Sequence, residues 1–385
     1  MSADYQFPLD LLSSPIKDRI AYFEEKVIGH LIQLNVFDQI LEAIDELPLG
    51  SFIFVYGPTG VGKTTLISRV VKELIIKYEQ EMIKDLDFMP VVSTQIASID
   101  TIFYIRDYYK RCLLAMHEPM LEKKIMSERK IRKDYPSIPA EWIPQGRNAD
   151  KSDLRGALEK ALIGRKVRFY LIDEAQHVIT GSSGRSAIAH LNTLKSLANI
   201  TDVTHVLFGT YELITDGLNG QMNRRSESIH FHRYRLDVED EMDEFKTLIC
   251  KFQQHMPLEV QPDLADLTDY MYVHTLGCVG ILKNWLNRAL RRTLRQKEQI
   301  LTKSILDQTA LPNRKLNQLA REIREGEAFL KDVDTLDEVD LLLKRGKSGT
   351  STPPSPEKGK TDGKKNKPGT RKPGRDGVGN NAETE

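Results

Sequence analysis

Apolar positions along the chain follow two different periods. Short runs rich in β-branched and aromatic residues recur at Phe52–Tyr56 (FIFVY), Pro90–Thr94, Val167–Ile172, His205–Phe208 and Ile229–Leu236, as buried strands do. Stretches of helical period lie between them. In 62–84, for example, Leu66, Val70, Val71, Leu74 and Tyr78 share one face. Strands alternating with helices predict an α/β fold, a parallel five-stranded sheet with helices on both faces. From about residue 238 the strands stop, and 238–255, 263–275, 278–297, 302–309 and 312–325 all read as helices. Ahead of the first strand, 13–47 predicts two helices, with Ser14 as an N-cap and Pro15 in the first turn. The expected organisation is an N-terminal helical segment at 1–50, an α/β core at 51–237 and a helical lid with C-terminal helices at 238–345. A tail at 346–385 completes it.

Composition narrows the class. With 385 residues, 40% of them hydrophobic and 29% charged, the chain can bury a large core. This excludes a collagen-like, wholly disordered or disulfide-stapled protein. Cys112, Cys250 and Cys278 lie far apart with no CxxC, which predicts neither a zinc site nor a disulfide framework and fits a reducing cytoplasm. No run approaches 18 apolar residues and the first ten carry two Asp, so neither a membrane span nor a secretory leader is expected. The tail has nine Lys/Arg against five Asp/Glu and no Leu, Ile, Phe, Tyr or Trp. It cannot bury enough apolar surface to offset its ordering entropy, and is expected to be a disordered basic segment.

The chemistry is concentrated in a few strings. Gly57-Pro58-Thr59-Gly60-Val61-Gly62-Lys63-Thr64-Thr65 matches GxxxxGK[ST], directly after an apolar strand and before an amphipathic helix. Glycines there let backbone amides turn inward around a β-phosphate at the positive end of the helix. Lys63 can reach the β- and γ-phosphates, and the Thr64 hydroxyl can ligate Mg²⁺. Later, Leu171-Ile172 is followed by Asp173 and Glu174, two carboxylates at the C-terminal end of a buried strand, where parallel sheets bind ligands. Asp173 is expected to hold Mg²⁺ through water. Glu174 is expected to orient and deprotonate an attacking water. A second acid beside the first favours hydrolysis over kinase chemistry.

Four further residues, at three places in the chain, fit a nucleotide hydrolase that works as an oligomer. Thr210, after the strand ending at Phe208, puts a hydroxyl where a central strand meets a γ-phosphate; the same residue could equally cap the next helix. Arg224 and Arg225 precede the last strand, and either guanidinium could reach the γ-phosphate of a neighbouring subunit as an arginine finger. Lys283, in Gly277-Cys-Val-Gly-Ile-Leu-Lys283, could fold over the nucleotide as a lid cation or stand in solvent.

Taken together, GPTGVGKTT at 57–65, LIDEAQH at 171–177, FGT at 208–210, the NRR string and GCVGILK at 277–283 resemble the AAA+ ATPases. Within them the set is similar to transposition regulators of the TnsC/TniB/MuB type, over roughly residues 15–300. The resemblance implies a P-loop AAA+ core, ATP with Mg²⁺, and a ring or helical filament of identical subunits on duplex DNA. It also implies recruitment of a transposase and a link to a target-selection protein. The chain departs from the superfamily at Thr210, usually Asn, and at Lys283, usually Arg. Both changes predict slow hydrolysis, suited to a switch. Other classes weighed on the same residues are a replication-initiator-like ATPase, a secretion- or partner-remodelling ATPase without DNA contact, and a small-molecule P-loop kinase.

Charge distribution bears on the DNA expectation. The whole chain balances 55 Lys+Arg against 55 Asp+Glu. Locally, 104–133 carries nine Lys/Arg against four acids, and 283–297 carries six with none. Residues 236–270, by contrast, hold ten acids and two lysines. Phosphate contact needs such clusters. Arg106, Lys110, Arg111, Lys123 and Lys124 are the expected DNA-binding set, ahead of the arginine stripe at 288, 291, 292 and 295. No base readout is expected, so binding would lack sequence specificity. The Pro-containing segment 126–155 reads as an insertion of unassigned purpose.

Overall fold

The computed structural model describes residues 5–96, 103–118, 151–180, 184–215 and 226–333. The tail, the bulk of the 126–155 segment, Lys123, Lys124, Arg224 and Arg225 lie outside the described residues.

Five strands form one parallel sheet: β1 (Phe52–Tyr56), β2 (Val91–Gln95), β3 (Phe169–Asp173), β4 (Thr204–Gly209) and β5 (Ser226–His230). Their order across the sheet is β2-β3-β4-β1-β5. All four pairings are parallel, with β1 between β4 and β5. Side chains alternate faces along each strand. Ile53, Val55, Leu171, Val206 and Ile229 join a large core with α2 (Leu31–Glu46) and α3 (Lys63–Lys77). Phe54, Tyr170, Ile172 and Leu207 face a second core, built with α5 (Ile105–Ala115), α6 (Lys151–Gly164) and α8 (Gly184–Thr201). A sheet covered on both faces explains why its strands read as continuous apolar runs.

The remaining helices are α1 (Ile16–Glu25), α4 (Glu79–Lys84), α7 (His177–Thr180), α9 (Glu212–Thr215), α10 (Glu239–Gln254), α11 (Thr268–Thr275), α12 (Val279–Arg295), α13 (Lys303–Thr309) and α14 (Asn313–Val333). In α12, Trp285, Leu286, Ala289 and Leu290 are buried while Asn284, Arg288, Arg291, Arg292 and Arg295 stay exposed. The first core continues without a break from the sheet into α10 and α12.

Three local expectations are corrected. Ser14 does not cap α1: its hydroxyl donates to the Asp10 carbonyl at 3.2 Å, and Pro15 takes the capping position without a side-chain bond. The last strand spans 226–230 instead of 229–236, because its partner β1 ends at Tyr56, where the chain turns into the glycine loop. The final ladder bond is Phe231 N to Tyr56 O at 2.8 Å. Residues 151–155, read as part of an insertion, belong to α6, which buries Leu154, Leu158 and Leu162 on one stripe.

Candidate nucleotide site

The site lies where the C-terminal ends of β1, β3 and β4 sit side by side, as the sheet order requires. The loop after β1 is shaped by close approaches that only glycine allows. A Cβ on Gly57 would stand 2.0 Å from the Phe231 carbonyl oxygen. Gly60 and Gly62 have φ of 82° and 116°, and Gly62 is the N-cap of α3, so loop amides and the positive end of that helix turn toward one space.

Lys63 is buried, and its ammonium donates to the carbonyls of Gly57 and Pro58, each at 2.9 Å. Burial pushes its pKa down to about 8, against the pull of Glu174 and Asp173. The exposed Thr64 hydroxyl donates to Asp173 Oδ2 at 2.8 Å, joining positions 109 residues apart. Burial raises the Asp173 carboxyl, with its bonds from Thr64 and the Glu174 amide opposing. A hydroxyl and a carboxylate held oxygen to oxygen are hard donors of the kind Mg²⁺ takes alongside phosphate and water.

Glu174 is one of few non-glycine residues in the left-handed region, with φ 54°. Its amide donates to Asp173 Oδ1 at 2.9 Å, and the next amide, Ala175 N, donates to Phe208 O at 2.8 Å. Such conformations cost about 1–3 kcal/mol and persist where the surroundings over-determine them. Here the turn aims the carboxylate toward the end of β4. Buried Gln176 completes the link. Its Nε2 donates to Glu174 Oε2 at 2.5 Å, while its Oε1 accepts from the Thr210 amide at 3.3 Å. The Thr210 hydroxyl lies 3.4 Å from Glu212. One amide side chain therefore spans the β3 and β4 ends. Sequence reasoning missed Gln176, which carries no signal beyond its place in the DEAQH string.

The structure also reveals a backbone clamp on the loop. Gly280, in the first turn of α12, donates its amide to Gly60 O at 2.7 Å, and a Cβ there would lie 2.6 Å from the same oxygen. A glycine just inside a helix, where it costs helix stability, is the sequence signal for such an approach. Lys283 lies one turn further on but is tied to α1: its ammonium donates to the Phe23 carbonyl and stands 3.7 Å over the Phe23 ring. Burial lowers it to about 8, with Glu24 opposing. Toward the loop, α12 thus presents backbone and Ile281. A cavity of about 230 Å³ opens between the α1–α2 connection, Gly62, Thr65 and α12. Its His30 wall is held uncharged, its pKa pushed down to about 4 by burial and by His232.

Among the expected DNA-binding residues, Arg106, Lys110 and Arg111 lie on α5, which packs on the second core through Tyr108, Tyr109 and Cys112. Arg111 is paired with Asp107 at 2.7 Å. In the arginine stripe of α12, Arg291 pairs with Glu24 and Arg288 donates to the Thr309 carbonyl at 3.0 Å. These two arginines therefore also brace neighbouring helices.

Residues 49–215 match the family described as an AAA domain. This segment is similar to that family over somewhat less than half of the chain. No curated protein matches the chain. Among solved structures, the ORC2 protein of Aeropyrum pernix in its ADP form aligns at TM-score 0.48 and 12% identity, covering 75% of this chain and 71% of that one. A Walker-type ATPase of Pyrococcus abyssi aligns at TM-score 0.42 and 13% identity, covering 81% and 75%. Domain III of the replication initiation protein DnaA from Thermotoga maritima aligns at 0.39 and 12%, covering 79% and 97%. No described helix is long and apolar enough to cross a membrane.

Proposed function

We propose that the chain is an ATP-hydrolysing switch that regulates DNA transposition. On this reading it assembles with copies of itself on duplex DNA, without sequence specificity, and connects a target-selection protein to a transposase. The observation that carries the hydrolytic part is the 2.8 Å Thr64–Asp173 contact with Glu174 beside it, steered by Gln176. The amides of 57–65 and the Lys63 ammonium bind the phosphates. Thr64 and Asp173 would hold Mg²⁺, which would supply charge neutralisation to the phosphates. Glu174 orients a water in line with the γ-phosphorus and accepts its proton as the bond to the bridging oxygen breaks. ADP and inorganic phosphate leave. Thr210 reports the γ-phosphate end, and Arg224 or Arg225 of a neighbouring copy supplies the finger. Lys283 serves as the lid cation by exchanging the Phe23 carbonyl for a phosphate oxygen. The neutral cavity beside His30 takes the base.

The transposition reading rests on the set of strings from 57 to 283 and on the sorted charge, with Arg106, Lys110, Arg111, Lys123 and Lys124 as the DNA set. The test is electron microscopy of the full chain with ATP and duplex DNA, alongside phosphate release. DNA-dependent rings or filaments with slow turnover are expected. Turnover without any DNA-dependent assembly would overturn the DNA part and favour a partner-remodelling ATPase. Absence of ATP binding would overturn the whole.

A further inference from the structure

A second cavity, of about 440 Å³, lies at the phosphate end of the site. One wall is Pro58 and Thr59 of the glycine loop with Thr210 and Glu212 after β4; the other is α14, including Glu322 and Glu325. The C-terminal helix thus runs across the mouth through which anything approaching the phosphates from that side must come.

Three contacts seat it. Gly326 lies flat against Tyr211, so that a Cβ there would come within 2.2 Å of the ring. Glu327 grips the Arg233 guanidinium in two parallel bonds, at 2.8 and 3.1 Å, just beyond the end of β5. Ile323 packs with Cys278 and Ile281, beside the backbone clamp on Gly60. The seat is narrow. Among the described residues, the buried cluster joining α14 to α12 is those three, with Leu276, Leu311 and Leu319 packed beside it; Leu330 touches the second core, and Phe329 is 37% exposed. A terminal helix held by a small apolar cluster, one close glycine contact and one ion pair is of the kind that opens locally before the sheet does. Its charge also opposes the site, because Glu322 and Glu325 join Glu212 in facing a space where a polyphosphate would end. Releasing α14 removes two of these carboxylates and leaves Arg233 without its partner acid. Both changes make the phosphate end more positive.

We infer that α14 is an autoinhibitory strap: it closes the phosphate end in the free chain, and its displacement opens the Thr59–Thr210–Tyr211 face to nucleotide. The inference rests on the nucleotide reading of the site and adds its regulation. A strap of this kind would keep nucleotide binding and turnover slow while α14 is seated.

The test uses the full-length chain with Gly326→Ala and Glu327→Gln. The first raises helix propensity while colliding with Tyr211, so α14 stays helical and loses its seat. The second keeps the volume and removes the charge. Two readouts are needed: hydrogen exchange over 313–330, and stopped-flow association of a fluorescent ATP analogue with steady-state phosphate release. Both variants are expected to exchange faster over α14 and to bind and turn over nucleotide roughly 5- to 150-fold faster, the range of ordinary coupling between sites. Faster exchange with unchanged or slower nucleotide association overturns the strap. Unchanged exchange in both variants overturns it too, since the named contacts then do not hold the helix. If the wild-type chain and both variants bind no nucleotide, the reading of the site falls first.

Discussion

Gly280→Ala perturbs the backbone clamp and nothing else in α12. The added methyl would sit 2.6 Å from the Gly60 carbonyl oxygen, so helix and loop must separate by most of an ångström. Separation forfeits the Gly280 N to Gly60 O bond, a net loss of about 0.5–1.5 kcal/mol. The overpacking itself costs about 1–3 kcal/mol. Alanine returns up to about 1 kcal/mol of helix propensity. The balance is roughly 1–3 kcal/mol against the closed arrangement of loop and α12, or about 5- to 150-fold in any equilibrium that needs it. Titration calorimetry with a non-hydrolysable ATP analogue should show that weakening in Kd, and thermal unfolding should show a lower Tm. Gly156→Ala supplies the opposite control. It lies inside α6 with nothing within 4 Å of its Cβ position, so the same chemical change should raise Tm slightly and leave Kd alone. A Gly280→Ala protein with wild-type Kd and Tm would refute the claim that α12 presses on the phosphate loop.

Further outcomes follow from the same geometry. Glu174→Gln should keep nucleotide affinity and lower kcat by about 10²–10⁴, as measured by phosphate release, since it removes the proposed base and spares the loop. Gln176→Leu should lower kcat by about tenfold or more at nearly unchanged Kd, because both of its bonds orient and neither touches phosphate. For Lys63, pushed down to about 8 by burial, the charged form is present below that pH and binds phosphate. The apparent Kd for ATP should therefore be flat below pH 8 and rise about tenfold per unit above it, a profile that Lys63→Arg should flatten. Charge reversal at Lys110 and Arg111 should weaken DNA binding, with ATP binding intact in a fluorescence assay. The salt slope of DNA binding should fall by about one for each phosphate no longer neutralised.

How much of this is legible in the sequence depends on whether the controlling contact is local. Strands β1, β3 and β4 announce themselves because burial on both faces leaves no polar alternation. The two strings at 57–65 and 171–177 carry their chemistry with them. Ser14 misleads because a hydroxyl next to a proline can bond backward to Asp10 as easily as forward to a helix. β5 misleads because its end is set by where β1 stops, more than 170 residues earlier in the chain. The Gly280–Gly60 clamp, the Arg233–Glu327 pair and the span of Gln176 are non-local pairings, and no pattern within one segment encodes them.

Those non-local contacts form a circuit around the phosphate end of the site. Gly60 is bonded to Gly280, and Ile281, the next residue, packs with Ile323 of α14. Three residues on, Gly326 rests on Tyr211, which follows Thr210, and the Thr210 amide returns through Gln176 to Glu174. Every link is a close backbone approach, a hydrogen bond or a packed side chain, and none is long or flexible enough to absorb a shift alone. A phosphate that moves the Gly60 carbonyl must therefore disturb α12, and through it α14. A displaced α14 frees Tyr211 and the turn that carries Thr210. Glu174, the proposed water-orienting acid, and the helix that covers the mouth are thus opposite ends of one chain of contacts. If α14 is the strap inferred above, hydrolysis would stay slow until something outside the chain holds the circuit open, the behaviour of a switch and a poor basis for a motor.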